Sequence, residues 1–191
     1  MRPAVRHTVV LCAVAGLAAS IMSLYVHYQL QVDPSHSSFC DVGAVVSCAA
    51  VYRSSYATVV GLPVSLLGAL WFIAVLLLAI GSLRGPTRFR PDASVYLFVW
   101  SVIGAGVSAW LAYASFAILQ TICLLCLTTD VAVAGILVAS GLERPWKRIA
   151  SPRRMAEGLR ELVTSPAAST SLTCFVVVGA ASMAFYPRSR D

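Results

Sequence analysis

Hydrophobic and polar positions in this chain come in long blocks, with no residue-by-residue alternation. Apolar stretches cover residues 8–30, 62–83, 93–119 and 122–142, with a shorter one at 170–186. At about 1.5 Å per helical residue, each of the first four spans ~30 Å of hydrocarbon, and the last just reaches. The pattern predicts five transmembrane helices. Residues 31–61, between the first two, are too many for a turn. Their Val42, Val45, Val46, Val51, Tyr52 and Val59 are too apolar for a disordered linker. Short helical pieces folded over the bundle as a lid satisfy both conditions. Gly61-Leu62-Pro63 reads as the start of the second helix, because proline is tolerated in a first turn.

Composition agrees. A chain that is 59% hydrophobic and 12% charged over 191 residues cannot bury its apolar surface in one water-soluble core of ordinary proportions. The predicted fold class is an all-α integral membrane protein, a four-helix transmembrane bundle plus a fifth transmembrane helix, with a lid-like external loop. Residues 1–142 form the bundle, 143–169 a basic amphipathic linker, and 170–191 the fifth helix and an external tail. The first apolar run exceeds the ~7–15 residues of a signal-peptide core, so it reads as an uncleaved helix.

The net charge of +6 raises the question of nucleic acid, and the placement of the charges answers it. Arg2, Arg6, Arg84, Arg88, Arg90, Arg144, Lys147, Arg148, Arg153, Arg154 and Arg160 fall on one side of the predicted membrane, leaving Arg53, Arg188 and Arg190 on the other. This is the positive-inside pattern. It places the N-terminus in the cytoplasm and makes membrane lipid, and no nucleic acid, the expected partner of the basic runs.

That topology gathers four of the six cysteines outside. Cys40 and Cys48 lie in the loop, and Cys123 and Cys126 begin the fourth helix. A helical spacing of three puts the last two sulfurs on one face within bridging range, and a first turn favours a thiolate at Cys123. Two paired cysteines persist as disulfides only in an oxidising compartment. Structural zinc pairs lie ~3–5 positions apart, against eight for Cys40 and Cys48, so no metal site is expected. Disulfides that merely staple loops are the remaining non-enzymatic reading. Cys12 and Cys174 read as small buried hydrophobes. Tyr25, His27 and Tyr28 read as an interfacial belt, and Gly104, Ala105, Gly106, Ser108 and Ala109 as a close-packing face.

Cys40-Asp41-Val42-Gly43, Ser47-Cys48, Ser54-Ser55 and Gly61-Leu62-Pro63-Val64-Ser65-Leu66-Leu67-Gly68, followed by Cys123-Leu124-Leu125-Cys126-Leu127-Thr128-Thr129, resemble the loop and helices of vitamin K epoxide reductases. The likeness covers residues 8–142. It implies a four-helix bundle around a quinone, with a thioredoxin-like (DsbA-like) protein as electron donor, here without a fused thioredoxin-like domain. It also implies an order. The partner attacks a Cys40–Cys48 disulfide at Cys40, the exposed member; Cys48 attacks Cys123 of a Cys123–Cys126 disulfide; and Cys126 passes the electrons to the quinone. By position, Val51 and Tyr52 become quinone contacts and Ser54 steadies the lid. Val64 and Asp130 stand where vertebrate members carry asparagine and tyrosine against the quinone oxygens. The expected function is a bacterial plasma-membrane thiol:quinone oxidoreductase supporting disulfide formation, with ubiquinone, menaquinone or a vitamin K type quinone as acceptor. A vitamin K epoxide reductase of an organellar membrane is the alternative. Asp130, a carboxyl within a membrane helix, is read either as a quinone contact and proton source or as a group bonded to a nearby hydroxyl.

Overall fold

The computed structural model describes residues 2–33, 38–43, 45–59, 61–84 and 90–143. The predicted linker beyond Glu143, the fifth helix and Cys174 lie outside the described residues. Four long helices make the body: α1 (Pro3–Val32), α3 (Val64–Arg84), α4 (Arg90–Tyr113) and α5 (Leu124–Gly141), with a five-residue α2 (Cys48–Tyr52) in the loop. Three of the helical segments are long and apolar enough to cross a membrane; the apolar part of α3, Val64–Ile80, is slightly shorter.

Helix ends follow local chemistry that hydropathy does not register. α1 starts at Pro3, where a missing N–H costs nothing, five residues earlier than the apolar block. Pro63 is outside α3. Leu62–Pro63 pairs with Thr58–Val59 in a two-stranded antiparallel hairpin, β1 and β2, and Gly61 turns it at φ 79°. This corrects the expectation that Gly61-Leu62-Pro63 opens the second helix. At its far end α4 gives way to a wider π turn, Ala114–Ile118.

α1 is the central element, packed along α5 and α3, while α4 closes the other side of α5. The core between them holds Val9, Ala13, Phe72, Val75, Leu97 and Ile136. Close approach depends on missing side chains. A Cβ at Gly16 would run into the Phe72 ring, and one at Gly104 into Trp71. Gly106, expected on the same packing face, has open space around it. Trp110 and Tyr113 are exposed, and Trp110 also stands on the wall of the cavity described below. At the end remote from the cysteines, Arg2 joins α1 to α5: its guanidinium donates to the Leu142 carbonyl at 2.7 Å and lies 3.5 Å from the Glu143 carboxylate.

The loop folds back over the opposite end. α2 follows from Ser47, an N-cap whose Oγ accepts from Ala50 N–H, and a 3-10 turn, Ser55–Ala57, leads into the hairpin. A parallel bridge between Val46 and Ile122 ties the loop to the residue before Cys123.

Candidate functional site

Asp41 organises the loop around the first cysteine pair. Its carboxylate accepts from Ser38 N–H and Oγ–H at 2.8 and 2.7 Å, from Ser47 Oγ–H at 2.8 Å and from Ala49 N–H at 3.0 Å. One residue thus holds the neighbours of both Cys40 and Cys48, which are joined as a disulfide with Cα atoms 5.8 Å apart. Burial alone would raise the Asp41 pKa, but the hydrogen bonds from Ala49, Ser38 and Ser47 outweigh it and hold the group at about 2.

Cys123 and Cys126 are free thiols. Cys123 is the N-cap of α5, in extended conformation, and so precedes the helical turn in which the spacing had placed it. The two sulfurs remain neighbours through a different device: Cys123 Sγ accepts from Cys126 N–H at 3.2 Å, taking the place of a capping oxygen. Hydrogen bonding from the Cys126 thiol is the largest cause lowering the Cys123 pKa to about 7. Burial opposes it, while the Cys126 N–H and the Tyr52 hydroxyl reinforce it.

The two pairs meet. Cys123 Sγ lies 3.7 Å from Cys48 Sγ inside a cluster formed by Val26, Leu30, Ala49 and Tyr52. Cys40 is 1% exposed and Cys48 0%, which corrects the expectation that Cys40 is the exposed member. Attack on Cys40 from outside requires the loop to lift. A thiolate at Cys123 and a disulfide sulfur at near contact distance are the reactants of thiol–disulfide exchange, which runs in either direction.

Beneath the sulfurs lies a cavity of about 620 Å³, open to Cys123 and Cys126. Val51, Tyr52, Val64 and Asp130 all line it, whereas Ser54 does not. Ser54 Oγ instead donates to the Val51 carbonyl at 2.6 Å, closing the end of α2. The walls are largely apolar, with Leu67, Trp71, Phe72 and Val133 among them. Ser108 lines the same cavity as Asp130. Two lining groups, Ser65 Oγ and Trp71 Nε1, are buried without a hydrogen-bond partner. An apolar chamber with a few unused donors is the environment a flat ring bearing carbonyl oxygens requires, so the residues present fit a quinone.

His27 belongs to this site, contrary to its interfacial reading. It is 1% exposed, lines the cavity and stacks on Tyr52 with ring centroids 5.9 Å apart. The lid covers it, which the residues of helix one alone do not reveal. A signal was available nonetheless. Ser20, Ser23 and His27 recur at helical spacing along one side of an otherwise apolar helix, and all three are buried against the cavity.

A bundle of apolar helices carrying two cysteine pairs at the mouth of an apolar chamber defines a class, the helical membrane oxidoreductases. The model of the vitamin K epoxide reductase family matches residues 7–140. Rat vitamin K epoxide reductase complex subunit 1 is 31% identical over 150 residues, covering 72% of this chain and 89% of the rat protein. The mouse protein of the same name is 32% identical over 139 residues, covering 66% and 82%. The chain belongs to the vitamin K epoxide reductase family and is a membrane oxidoreductase of the quinone or vitamin K type.

Proposed function

We propose that the protein is a thiol:quinone oxidoreductase that takes electrons from a thioredoxin-like partner and delivers them to ubiquinone or menaquinone, supporting disulfide formation. The observation that carries this reading is the 3.7 Å separation of Cys48 and Cys123 above a chamber that Cys123 and Cys126 share. With the lid raised, a partner thiolate attacks Cys40, and Cys48 leaves as thiolate. Cys48 then attacks Cys123 of a Cys123–Cys126 disulfide, and Cys126 leaves. The second thiolate of the partner attacks the partner sulfur joined to Cys40 and frees Cys40 as thiolate, and Cys40 then attacks Cys48 of the Cys48–Cys123 disulfide, expelling Cys123. Each exchange makes one S–S bond and breaks one.

The end of this relay is a Cys40–Cys48 disulfide beside two free thiols, the arrangement found here. A bound quinone accepts two electrons and two protons. Val51, Val64 and Trp71 supply apolar contact for the ring, and Ser65, Trp71 and Asp130 polar contact for its oxygens. The distribution of basic residues and a single lysine among them favour a bacterial plasma membrane, with the cysteines on the external side and the N-terminus in the cytoplasm. Val64 and Asp130, in place of the asparagine and tyrosine of vertebrate members, favour quinone over epoxide.

Quinone-dependent oxidation of a reduced thioredoxin-like protein, with the wild type and each single Cys→Ala variant of Cys40, Cys48, Cys123 and Cys126, tests the reading. Turnover in the wild type and its loss in Cys126→Ala, with the loop pair left reduced, are expected. Undiminished turnover in Cys126→Ala refutes the order of transfer, and reduction of an epoxide in preference to a quinone supports the vertebrate activity instead.

A further inference from the structure

α2 brings two groups to one sulfur. Cys48 is its first residue and Tyr52 comes four later, so both side chains lie on one face. Cys48 Sγ and Tyr52 Oη are each 3.7 Å from Cys123 Sγ. The Tyr52 hydroxyl also donates to Ser23 Oγ at 2.7 Å, its ring stacks on His27, and the residue is 7% exposed.

We propose that the Tyr52 hydroxyl is a catalytic group of the sulfur chemistry as well as part of the cavity wall: it joins Cys126 as a hydrogen-bond donor to the departing Cys123 thiolate, and the lid delivers it together with the sulfur Cys123 exchanges with. The inference rests on the thiol–disulfide reading above. In the last internal exchange, a Cys40 thiolate attacks Cys48 of a Cys48–Cys123 disulfide. The Cys40–Cys48 bond forms, the Cys48–Cys123 bond breaks, and the electron pair of the broken bond leaves on Cys123 Sγ. No proton moves, and one disulfide replaces another. The charge that left Cys40 now sits on Cys123, a sulfur that is 3% exposed among apolar side chains. A buried anion of this kind needs a donor.

Tyr52 meets that need by turning its O–H from Ser23 to Cys123, with the Ser23 O–H donating to Tyr52 Oη in exchange. Burial holds the phenol protonated, so it donates without giving up its proton. Of the other titratable groups nearby, Cys126 also donates to Cys123, from α5 and independently of the lid, while Asp130 lies one turn further along α5 and His27 on α1 stands behind the Tyr52 ring. The Cys40–Cys48 disulfide carries no charge. Lifting α2 withdraws this donor and the exchange partner together, leaving Cys123 with the Cys126 donors alone.

The test uses the full chain in lipid nanodiscs with [3-13C]cysteine, comparing wild type with Tyr52→Phe, which keeps the ring and its stack. The Cβ shift of Cys123 is titrated with pH, and quinone-dependent thiol oxidation is measured alongside. The titration midpoint is expected to rise by about one pH unit, and kcat to fall about tenfold with KM for quinone unchanged. An unmoved midpoint overturns the proposal, as does a raised KM at unchanged kcat, which assigns Tyr52 to quinone contact alone. Absence of any quinone-dependent activity in the wild type contradicts the functional reading, and the midpoint still decides the role of Tyr52.

Discussion

Val46 and Ile122 are joined in a single parallel bridge, with Ser47 N–H donating to the Ile122 carbonyl at 3.1 Å and Ile122 N–H to the Val45 carbonyl at 2.8 Å. Cys48 is two residues beyond one partner and Cys123 one beyond the other, so this bridge sets the approach of the two sulfurs. Ile122→Pro removes one of the two donors. It is expected to slow exchange between the cysteine pairs about tenfold in stopped-flow measurements while the helical content stays unchanged. Exchange at the wild-type rate would show that the bridge does not control the approach.

Asp41 holds the loop from within, and its acidity gives the loop a pH limit. Its folded pKa of about 2 lies below the ordinary carboxylate value, so the stabilisation is fully present above pH ~4 and is lost as pH falls toward 2. Asp41→Ala should raise amide hydrogen exchange at Ala49 and Ala50 about tenfold at neutral pH, without changing exchange in the core of α5. Equal exchange in variant and wild type contradicts the clamp.

Gly16 on α1 leaves room for the Phe72 ring of α3, which a Cβ there would run into. Gly16→Val forces the helices apart and should destabilise the bundle by about 1–3 kcal/mol, read as a lowered unfolding midpoint in detergent. The Gly106→Ala substitution, made into open space, should leave that midpoint within about 0.5 kcal/mol.

How legible this was in the sequence depends on what each feature answers to. The membrane helices are local: a run of apolar residues has nowhere else to go, and the blocks locate all four described long helices to within a few residues. The cysteine pairs were legible because their neighbours repeat a family pattern. Burial that depends on the loop folding back was not. Cys40 reads as exposed and His27 as interfacial until α2 covers both, and the N-cap role of Cys123 emerges only once the Ile122 bridge holds its backbone extended. Gly106 shows the reverse error, a small residue in a packing pattern with nothing packed on it.

Asp130 lines the cavity, the position that its reading as a quinone contact and proton source requires. Asp130→Asn should weaken quinone binding about tenfold and alter the pH dependence of quinone reduction, measured by titration and steady-state kinetics. If both stay as in the wild type, the carboxyl takes no part in quinone binding or proton delivery.

The account stands on direct exchange between Cys48 and Cys123. Its most direct test is the Cys40→Ala, Cys126→Ala double variant, oxidised in the membrane, digested and mapped by mass spectrometry. Removing each resolving thiol should leave Cys48 and Cys123 joined as the dominant disulfide. Recovery of both as free thiols after oxidation, in protein whose helical content matches the wild type, would contradict it.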